Sequence, residues 1–407
     1  KTKSKLKFFF FVFCQIFFFY SIKACSTQTR LIIIGAGLCG LTSASKALSS
    51  NIFSEITIVE KSFKVGGRLS SKRAWPCADS INNSFDQGAQ YFTVSDHQFQ
   101  KRVDTWLQQK VVQLWDIPKP LVYSGSEQRF VDSSKSDTPK RYVGIPTMNA
   151  IAEYELEQLK RVSSHSFHFY GNTRAQRVLI DENGLFSVET RPNRGDDAEN
   201  KVKTLSAENL WICVPYPQIE PMIDQSVRSK DPALFDKLSK EDPQFQPCWS
   251  VVLDQLTPVP WLEGGIFVND SPIQWIANNA SKPQRTTNDI STYDDIPQRW
   301  VVHLREDVST QLSHKEVIAL TMETLSKMYP QYNPIKVKNT YVHRWLYAKS
   351  KRHINTGPDS KITIQAPYLS STMSLGISGD YVLGGRVEGA FLAGNQLANQ
   401  FIKKSKL

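Results

Sequence analysis

The most regular pattern of apolar positions lies between residues 30 and 60. Residues 30–34 carry one arginine followed by four apolar residues, which predicts a buried parallel strand. Leu41, Ala44 and Leu48 then recur at the spacing of one helix face, and residues 55–59 form a second apolar strand. The order of strand, helix and strand predicts a βαβ unit.

Later patterns predict a mixture of strands and helices. Asn183-Gly184 is a favoured two-residue turn between the strand patterns at 177–180 and 185–188, so a hairpin is expected there. Ser313 and Glu316 form a capping box that opens a helix reaching about residue 329. Further strands are expected at 209–214, 249–253, 266–268, 274–277 and 300–304, and further helices at 148–161 and from Gly389 onward.

The turn between the first strand and helix has the spacing G-x-G-x-x-G. Gly35 permits the tight turn, Gly37 lets the backbone approach a pyrophosphate, and Gly40 lets helix and strand pack closely. Glu60 ends the second strand twenty residues after Gly40, where a carboxylate accepts hydrogen bonds from ribose hydroxyls. The sequence therefore predicts a dinucleotide site, and Glu60 favours NAD or FAD over NADP.

Composition and charge exclude several classes of protein. The 407 residues are enough for two or three domains, and 40% apolar with 22% charged residues is typical of globular proteins. The net charge of +10 suggests a polyanionic partner, but six cations lie in residues 1–30 and three in the last seven, without any acid. The remainder is nearly neutral, so no nucleic-acid partner is expected. The six cysteines form no C-x-x-C pair, so neither a disulfide framework nor a metal site is expected.

The two ends of the chain indicate different cellular addresses. Residues 8–20 form an apolar run that is too short to span a bilayer. It predicts a signal peptide or weak anchor, or else translated upstream sequence. Ser405-Lys406-Leu407 is a peroxisomal import signal that an import receptor reads. We favour the peroxisomal address, with secretion or the endoplasmic reticulum as the alternative.

Residues downstream of Glu60 resemble a known family. Gly66-Gly67-Arg68 stands where the flavin amine-oxidase superfamily has its Gly-Gly-Arg signature. The motifs that resemble the renalase-like FAD-dependent oxidoreductases of that superfamily are residues 86–93, 143–146, 247–249, 279–283, 343–348, 379–380 and 384–390. The resemblance covers roughly residues 31–400. Thr147 departs from it, because the family has glycine after Pro146.

This resemblance implies a fold of the α/β + α+β class. A Rossmann-like FAD-binding domain is expected to contain an inserted substrate domain with a mixed sheet, the amine-oxidase and renalase architecture. The FAD-binding domain would be discontinuous, with segments 29–100, 146–218 and 342–407. The substrate domain would comprise 101–145 and 219–341, and residues 1–28 would form the signal-like or untranslated segment.

The resemblance also implies roles for particular residues. Asp380 would bind the ribityl chain, and the helix from Gly389 would point its positive end at the pyrimidine edge of the flavin. Lys282 would lie near flavin N5, and Trp345 would be a substrate-facing wall; these two are the candidate catalytic residues. The candidate cofactor-binding residues are Gly35, Ala36, Gly37, Leu38, Cys39, Gly40, Glu60, Lys61, Gly67, Arg68, Val178, Gly379, Asp380, Arg386, Val387, Glu388 and Ala390.

Renalase-like enzymes oxidise wrongly reduced isomers of NAD(P)H and pass the electrons to oxygen, giving hydrogen peroxide. The same reaction is expected here, with noncovalent FAD, a small-molecule substrate and oxygen as partners. Trp275, Trp345 and Tyr347 would supply flat walls for the substrate ring. No nucleophile or general base is evident, which suits direct hydride transfer. The alternatives are an amine or polyamine oxidase on the same fold and a secreted flavin-containing binding protein.

Overall fold

The structure is a computed structural model that describes residues 29–73, 84–117, 120–131, 139–162, 166–195, 202–257, 259, 262, 264–285, 298–350 and 367–405. The predicted segment 1–28 and residues 406–407 of the predicted import signal lie outside these ranges.

The strands and helices are numbered in chain order. The strands are β1 Arg30–Ile34, β2 Glu55–Val59, β3 Ser71–Arg73, β4 Ser84–Asp86, β5 Val112–Leu114, β6 Leu121–Ser124, β7 Arg129–Val131, β8 Tyr142–Gly144, β9 Phe167–Tyr170, β10 Thr173–Ile180, β11 Phe186–Pro192, β12 Lys203–Ala207, β13 Asn209–Ile212, β14 Phe245–Thr257, β15 Gly265–Asn269, β16 Ile273–Asn278, β17 Gln298–Leu304, β18 Lys336–Ser350, β19 Tyr368–Leu369 and β20 Leu375–Ile377. The helices are α1 Leu38–Ser49, α2 His97–Gln108, α3 Ala150–Val162, α4 Gln225–Lys230, α5 Pro232–Lys240, α6 Glu306–Gln311, α7 His314–Met328 and α8 Val387–Ser405.

A largely parallel sheet carries the dinucleotide unit. Within the described ranges it has six strands in the order β19-β20-β13-β1-β2-β9. β1 is parallel to both of its neighbours, with Ile33 opposite Trp211 on one side and Ile58 on the other. β1 and β2 are buried almost throughout, which is why they form continuous apolar runs in the sequence. Helix α1 packs against α8 and α3.

A second sheet is mostly antiparallel. In the part of the chain that the structure describes, its seven strands follow the order β18-β14-β17-β16-β15-β6-β7. One face packs against α7, where Trp249, Val302 and Leu325 belong to one core. The opposite face contributes Val301 to a small cluster with Phe85 of β4. This opposite face therefore lies against β4, and it is called the cleft face below.

The structure confirms the strand and helix predictions in the body of the chain. The hairpin around Asn183-Gly184 is formed by β10 and β11, and the four strands predicted between 249 and 304 lie within β14 to β17. The capping box of Ser313 and Glu316 is present, because each side chain bonds to the other residue's backbone. The last helix begins at Val387, two residues before the predicted start.

Three predicted domain boundaries are displaced. The boundary at 342 falls inside β18, which pairs with β14 along most of its length and belongs wholly to the second sheet. The boundary at 101 falls inside α2. The boundary at 219 is too early, because Val227, Leu234 and Phe235 of α4 and α5 pack into the core of the parallel sheet. Short amphipathic helices carry no sequence signal for which sheet they cover.

Candidate functional site

Two glycine-rich turns lie side by side at the carboxyl end of β1. Gly35 has a positive φ of 103°, and the backbone N–H of Gly66 donates to the carbonyl of Ala36 at 2.8 Å. A Cβ on Gly40 would lie 2.0 Å from the carbonyl oxygen of Gly35, so a side chain there would separate α1 from β1. A Cβ on Gly37, in contrast, would meet no atom within 4 Å. The turn therefore leaves open space at the start of α1.

This open space has the features of a phosphate site. Gly37 is the N-cap of α1, no side chain caps the helix, and its first turn has no acidic residue. The N–H groups at a helix start lack partners within the helix and attract anions. Gly67 closes the space from the other turn, because its Cβ would lie 3.8 Å from the Cα of Gly37. These residues fit the pyrophosphate of a dinucleotide.

Glu60 lies beside the same turn. Its side chain is 7% exposed; Oε2 accepts a hydrogen bond from the Ala36 N–H and Oε1 accepts one from the Ser62 N–H, both at 2.8 Å. A carboxylate has about four acceptor positions, so about two remain for other donors. Glu60 therefore has free acceptor positions that suit ribose hydroxyls, and it also holds the glycine turn. The neighbouring Lys61 is exposed.

Arg68 and Asp380 form an ion pair between segments that are far apart in the sequence. Asp380 is buried and follows Gly379, and Arg68 also donates to the carbonyl of Ala348 at 3.3 Å. Because Ala348 belongs to β18, Arg68 ties the Gly-Gly-Arg turn to the second sheet. Asp380 is thus a buried carboxylate whose remaining acceptor positions can serve a polyol chain.

Helix α8 begins next to Asp380. The backbone N–H of Gly385 donates to the carbonyl of Asp380 at 2.8 Å, just before the helix starts. The carboxylate of Glu388 accepts hydrogen bonds from the N–H and Oγ of Ser95 and from the N–H of Asp96. The side chain of Glu388 therefore fixes the helix to the loop before α2. The other three predicted residues at this end are exposed or half-buried: Arg386, Val387 and Ala390.

Three predicted cofactor contacts have side chains in the core: Leu38, Cys39 and Val178. The pKa of the Cys39 thiol is raised well above its usual value by its hydrogen bond with Cys213 and by burial. The carbonyl of Val178 already accepts a bond from the N–H of Asp224 at 3.0 Å. Leu38 and Cys39 can contact a dinucleotide through the backbone of the first helical turn, whereas the structure does not join Val178 to the glycine turns.

Lys282 is a buried ammonium rather than a loop lysine in water. Its side chain is inaccessible to solvent, and Nζ contacts Oδ2 of Asp86 at 2.9 Å and Oε1 of Gln90 at 3.3 Å. Arg285 shares the same carboxylate, at 3.0 Å from Oδ2. Trp115 covers the group, with its ring centroid 5.4 Å from Nζ. This cluster joins the loop after β4 to the segment after β16.

The protonation of this cluster follows from its burial and charge. Burial lowers the pKa of Lys282 from 10.5 to about 8, since the attraction of Asp86 is outweighed by desolvation and by the nearby Arg285. The pKa of Asp86 is lowered, because the two cations and the bonds from Ser71 and Met148 more than offset its own burial. One carboxylate thus serves two cations, and Lys282 is the less stabilised of them.

A row of polar side chains crosses the cleft face of the second sheet. Trp275 of β16 is opposite His303 of β17, His303 is opposite Ser250 of β14, and Ser250 is opposite His343 of β18. Directly opposed residues in neighbouring strands point to the same face. Buried polar atoms in this row have no hydrogen-bond partner among the described residues: Nε1 of Trp275, Nε2 of His303 and Oγ of Ser250. Buried polar groups are normally paired, so the row points to a ligand.

Both histidines of the row are neutral near pH 7. Burial lowers the pKa of His303 to about 3, with further lowering by Lys349 and Lys282. Burial and the charge of Lys72 lower the pKa of His343. Neither imidazole therefore exchanges a proton near pH 7.

Trp345 contacts the same loop as Lys282. Its Nε1 donates to the carbonyl of Gln87 at 2.9 Å, and its ring lies 4.4 Å from the His343 ring. The three predicted aromatic walls do not enclose one ring, however. Trp275 and His343 are three strand spacings apart, on the order of 14 Å, and Tyr347 packs at 6.1 Å from Phe245. Sequence spacing could not show this, because it gives the face of a strand but not the order of the strands.

Several residues of the cleft were missed by the sequence analysis. Ser250 and His303 are polar interruptions in apolar strands, which is a signal that alternation alone could have revealed. Asp86 lies in the motif at residues 86–93, but its ion pairs with Lys282 and Arg285 join residues almost 200 positions apart.

In the described ranges, no helix is long and apolar enough to cross a membrane. No group of three His, Cys, Asp or Glu side chains in those ranges could hold a metal ion.

Comparison with known proteins supports the dinucleotide unit. Residues 33–106 match the model of the NAD(P)-binding Rossmann-like domain. This segment has a Rossmann-like fold. The matched residues include Gly35, Gly37, Gly40 and Glu60, which the structure groups around the open start of α1.

Solved oxidases share the whole fold. A protein assigned as a protoporphyrinogen oxidase from Exiguobacterium sp. 255-15 has a TM-score of 0.63 at 10% identity, over 93% of this chain and 99% of that chain. Wild-type putrescine oxidase bound to putrescine has a TM-score of 0.59 at 11% identity, over 92% and 99%. A triple mutant of putrescine oxidase has a TM-score of 0.61 at 11% identity, over 93% and 99%.

At these identities the likeness shows the fold. It confirms the predicted class, a Rossmann-like domain combined with a mixed-sheet domain.

Proposed function

We propose that this chain is an FAD-dependent oxidase of the renalase-like kind, which accepts a hydride from an isomeric dihydronicotinamide dinucleotide. The electrons would pass to oxygen and give hydrogen peroxide. The observation that carries the choice of substrate is the charge of the cleft. Among the described residues there, the carboxylate of Asp86 is already bound by Lys282 and Arg285, so a cationic amine finds no free acid.

The residues at the glycine turns would hold the cofactor. The N–H groups at the start of α1 bind the pyrophosphate, and Glu60 accepts from ribose hydroxyls. Asp380 would accept from the ribityl hydroxyls, and Arg68 would hold its carboxylate in place. When bound, FAD supplies a hydride acceptor that oxygen can reoxidise.

The cleft face supports a neutral or anionic substrate. The indole N–H of Trp275 and the hydroxyl of Ser250 are unpaired donors, and His303 is neutral near pH 7. Lys282 uses Asp86 and Gln90 for two of its three protons. A dihydronicotinamide needs no base to lose its hydride, because aromatisation favours the departure. The described residues are therefore asked only to orient the ring and exclude water.

Anaerobic rapid mixing tests this proposal. FAD-loaded protein is mixed with each dihydronicotinamide isomer, with ordinary NADH as the matched control, and flavin bleaching is followed. Fast bleaching by an isomer, with peroxide on admission of oxygen, is the expected result. The rate should be nearly independent of pH around pH 7, because His303 is neutral there and burial lowers the pKa of His343 below 6.5.

The same rapid-mixing measurement would contradict the proposal if an amine, and not a dihydronicotinamide, reduced the flavin. Putrescine is the natural competitor, since putrescine oxidase shares the fold. An amine must lose its ammonium proton before hydride leaves, so its rate should grow as the pH rises. Bleaching by putrescine but by no dihydronicotinamide isomer would establish the amine-oxidase alternative.

We also propose that Ser405-Lys406-Leu407, when it ends the chain, directs the protein to peroxisomes. A peroxisomal address suits an enzyme that makes peroxide. Residues 29–407 fused behind a fluorescent reporter should give peroxisomal dots, and deletion of Leu407 should disperse them. Diffuse fluorescence with the tail intact would contradict the proposal, and entry of the full chain into the secretory route would favour the alternative.

A further inference from the structure

Arg141 is a buried arginine next to Tyr91 and Trp115. It directly precedes β8, and its carbonyl accepts a hydrogen bond from the N–H of Trp115 at 2.8 Å. The residue is 8% exposed, and its guanidinium carbon lies 5.3 Å from the centroid of the Tyr91 ring. Its Nε is buried without a hydrogen-bond partner, and no described carboxylate forms an ion pair with it.

This isolation is unusual for a buried arginine. Burying a charge is unfavourable unless a counter-charge and hydrogen bonds compensate it. Arg285 also has an unpartnered Nε, but its charge is compensated, because its terminal nitrogens contact Asp86 and donate to Asn279 and to the carbonyl of Gly144. The ring of Tyr91 stabilises Arg141 only in part, since a cation–π contact satisfies none of the N–H donors. Among the described residues, no carboxylate therefore compensates the charge of this guanidinium.

Arg141 is continuous with the proposed substrate cleft. Tyr91, on which it lies, contacts Trp275 with ring centroids 5.6 Å apart and Trp115 with centroids 6.1 Å apart. Trp115 in turn covers Lys282. Arg141 is thus joined by aromatic rings both to the lysine and to the row of unpaired donors that begins at Trp275.

We propose that Arg141 is the anion-binding subsite of this cleft and takes a phosphate group of a nucleotide substrate. The inference rests on the proposed function, which it deepens. A planar guanidinium can hold two phosphate oxygens in parallel hydrogen bonds. The substrate would lie across the second sheet, with acceptor groups on Trp275 and Ser250, a donor group on Nε2 of His303, and its phosphate on Arg141.

A pair of substrates that differ only in phosphate tests the subsite. The pair is an isomeric dihydronicotinamide mononucleotide and the matching nucleoside without phosphate. Arg141→Gln should raise KM for the nucleotide by about 10- to 100-fold and leave kcat and the nucleoside unchanged, because a charge-assisted hydrogen bond is lost. Arg141→Lys should recover part of the affinity. Arg129→Gln is the matched control, since Arg129 is an exposed arginine paired with Glu127.

A binding experiment tests the subsite independently of the reaction. Oxidised holoprotein is titrated with nicotinamide mononucleotide and with nicotinamide riboside, and the fluorescence of Trp115 and Trp275 reports occupancy. If no dihydronicotinamide is turned over, the proposed function fails, yet tighter binding of the mononucleotide that Arg141→Gln abolishes still supports the subsite. Equal binding of the two ligands by the unmodified protein overturns it, as does an equal effect of Arg141→Gln on both ligands.

Unfolding of the ligand-free variants excludes a merely structural role. Arg141→Gln removes an uncompensated buried charge, so it should not lower the unfolding midpoint, whereas Arg285→Gln should lower it. If Arg141→Gln unfolds, the subsite assignment is wrong, because the guanidinium then has a structural partner instead of a ligand.

Discussion

Replacement of Lys282 should slow flavin reduction without lowering the stability of the folded protein. Its pKa of about 8 lies roughly 2.5 units below 10.5, and each unit corresponds to about 1.4 kcal/mol. Keeping Lys282 protonated in the folded protein near pH 7 therefore costs about 3 kcal/mol relative to the unfolded chain. Methionine has a similar length and no charge. Lys282→Met should leave the FAD-loaded protein at least as stable as the unmodified protein at pH 7, while flavin reduction slows.

Asp86→Asn, in contrast, should lower the stability of the folded protein. The carboxylate of Asp86 contacts Lys282 and Arg285 and accepts from Oγ of Ser71 at 2.7 Å and the N–H of Met148 at 3.0 Å. Its neutralisation would leave two buried cations without a counter-charge. Breaking a buried pair by removing one partner typically lowers the free energy of unfolding by roughly 3–5 kcal/mol, so Asp86→Asn should be the far more damaging change.

The pH dependence of the Lys282 effect has a definite sign. The folded-state pKa of about 8 is below the unfolded value of 10.5, so between these values the unfolded chain binds the proton more tightly. The unmodified protein therefore gains stability from this group as the pH rises through that window. The advantage of Lys282→Met is full below about pH 8 and disappears towards pH 10.5. Asp86 has a lowered pKa, so its contribution is present above 3.8 and is lost as the pH falls below that value.

Urea unfolding of the FAD-loaded proteins at pH 7 and at about pH 9.5 measures both effects. Lys327→Met is the matched control, because Lys327 is exposed and pairs with Glu323 one helical turn away. It should change the free energy of unfolding by less than about 0.5 kcal/mol at either pH. A loss of about 2 kcal/mol or more for Lys282→Met at pH 7, or a neutral Asp86→Asn, would refute the charge balance derived for this cluster.

Three further predictions concern the cofactor and the reaction. Glu60→Ala should weaken FAD binding by roughly 1–3 kcal/mol, measured by equilibrium dialysis. Glu60→Gln should weaken it less, because an amide oxygen can still accept a hydrogen bond. Unchanged affinity in Glu60→Ala would exclude the ribose contact. Gly40→Ala should destabilise the fold by at least about 1–3 kcal/mol, because its Cβ would meet the backbone of Gly35. Gly37→Ala should change thermal stability little but weaken FAD binding, because its Cβ would occupy the open space at the start of α1. Equal effects of the two changes on stability would contradict the open turn. The rate of flavin reduction by a dihydronicotinamide should change once with pH, near pH 8, as Lys282 titrates. Lys282→Met should abolish that change. A second change near pH 6.5 would contradict the assigned neutrality of His303 and His343.

The predicted dinucleotide unit was recoverable from sequence because its determinants are local. The spacing of Gly35, Gly37 and Gly40 specifies one turn, and Glu60 follows at the end of the next strand. Each of these residues acts through its own backbone or through a neighbour in the same βαβ unit. The strands of the second sheet were predictable for the same reason, since their alternation records which face of each strand is buried.

The position of Lys282 shows where local reasoning stops. From sequence alone a lysine after a short turn is as readily a solvated residue, and only the contact with Asp86, almost 200 residues earlier, makes it a buried ammonium. Arg141 is similar, since its isolation is a property of what surrounds it rather than of its own segment.

The sequence by itself determined the strand–turn–helix that binds a dinucleotide, the fold class and most of the secondary structure, because these depend on backbone geometry and on periodic burial over a few residues. The tertiary structure decided which strands are neighbours, where the second domain begins, and which charges are paired. It did so because burial and charge compensation depend on contacts between distant segments. The cleft face of Trp275, His303 and Ser250 exists only through the strand order β16-β17-β14, which no spacing along the chain records.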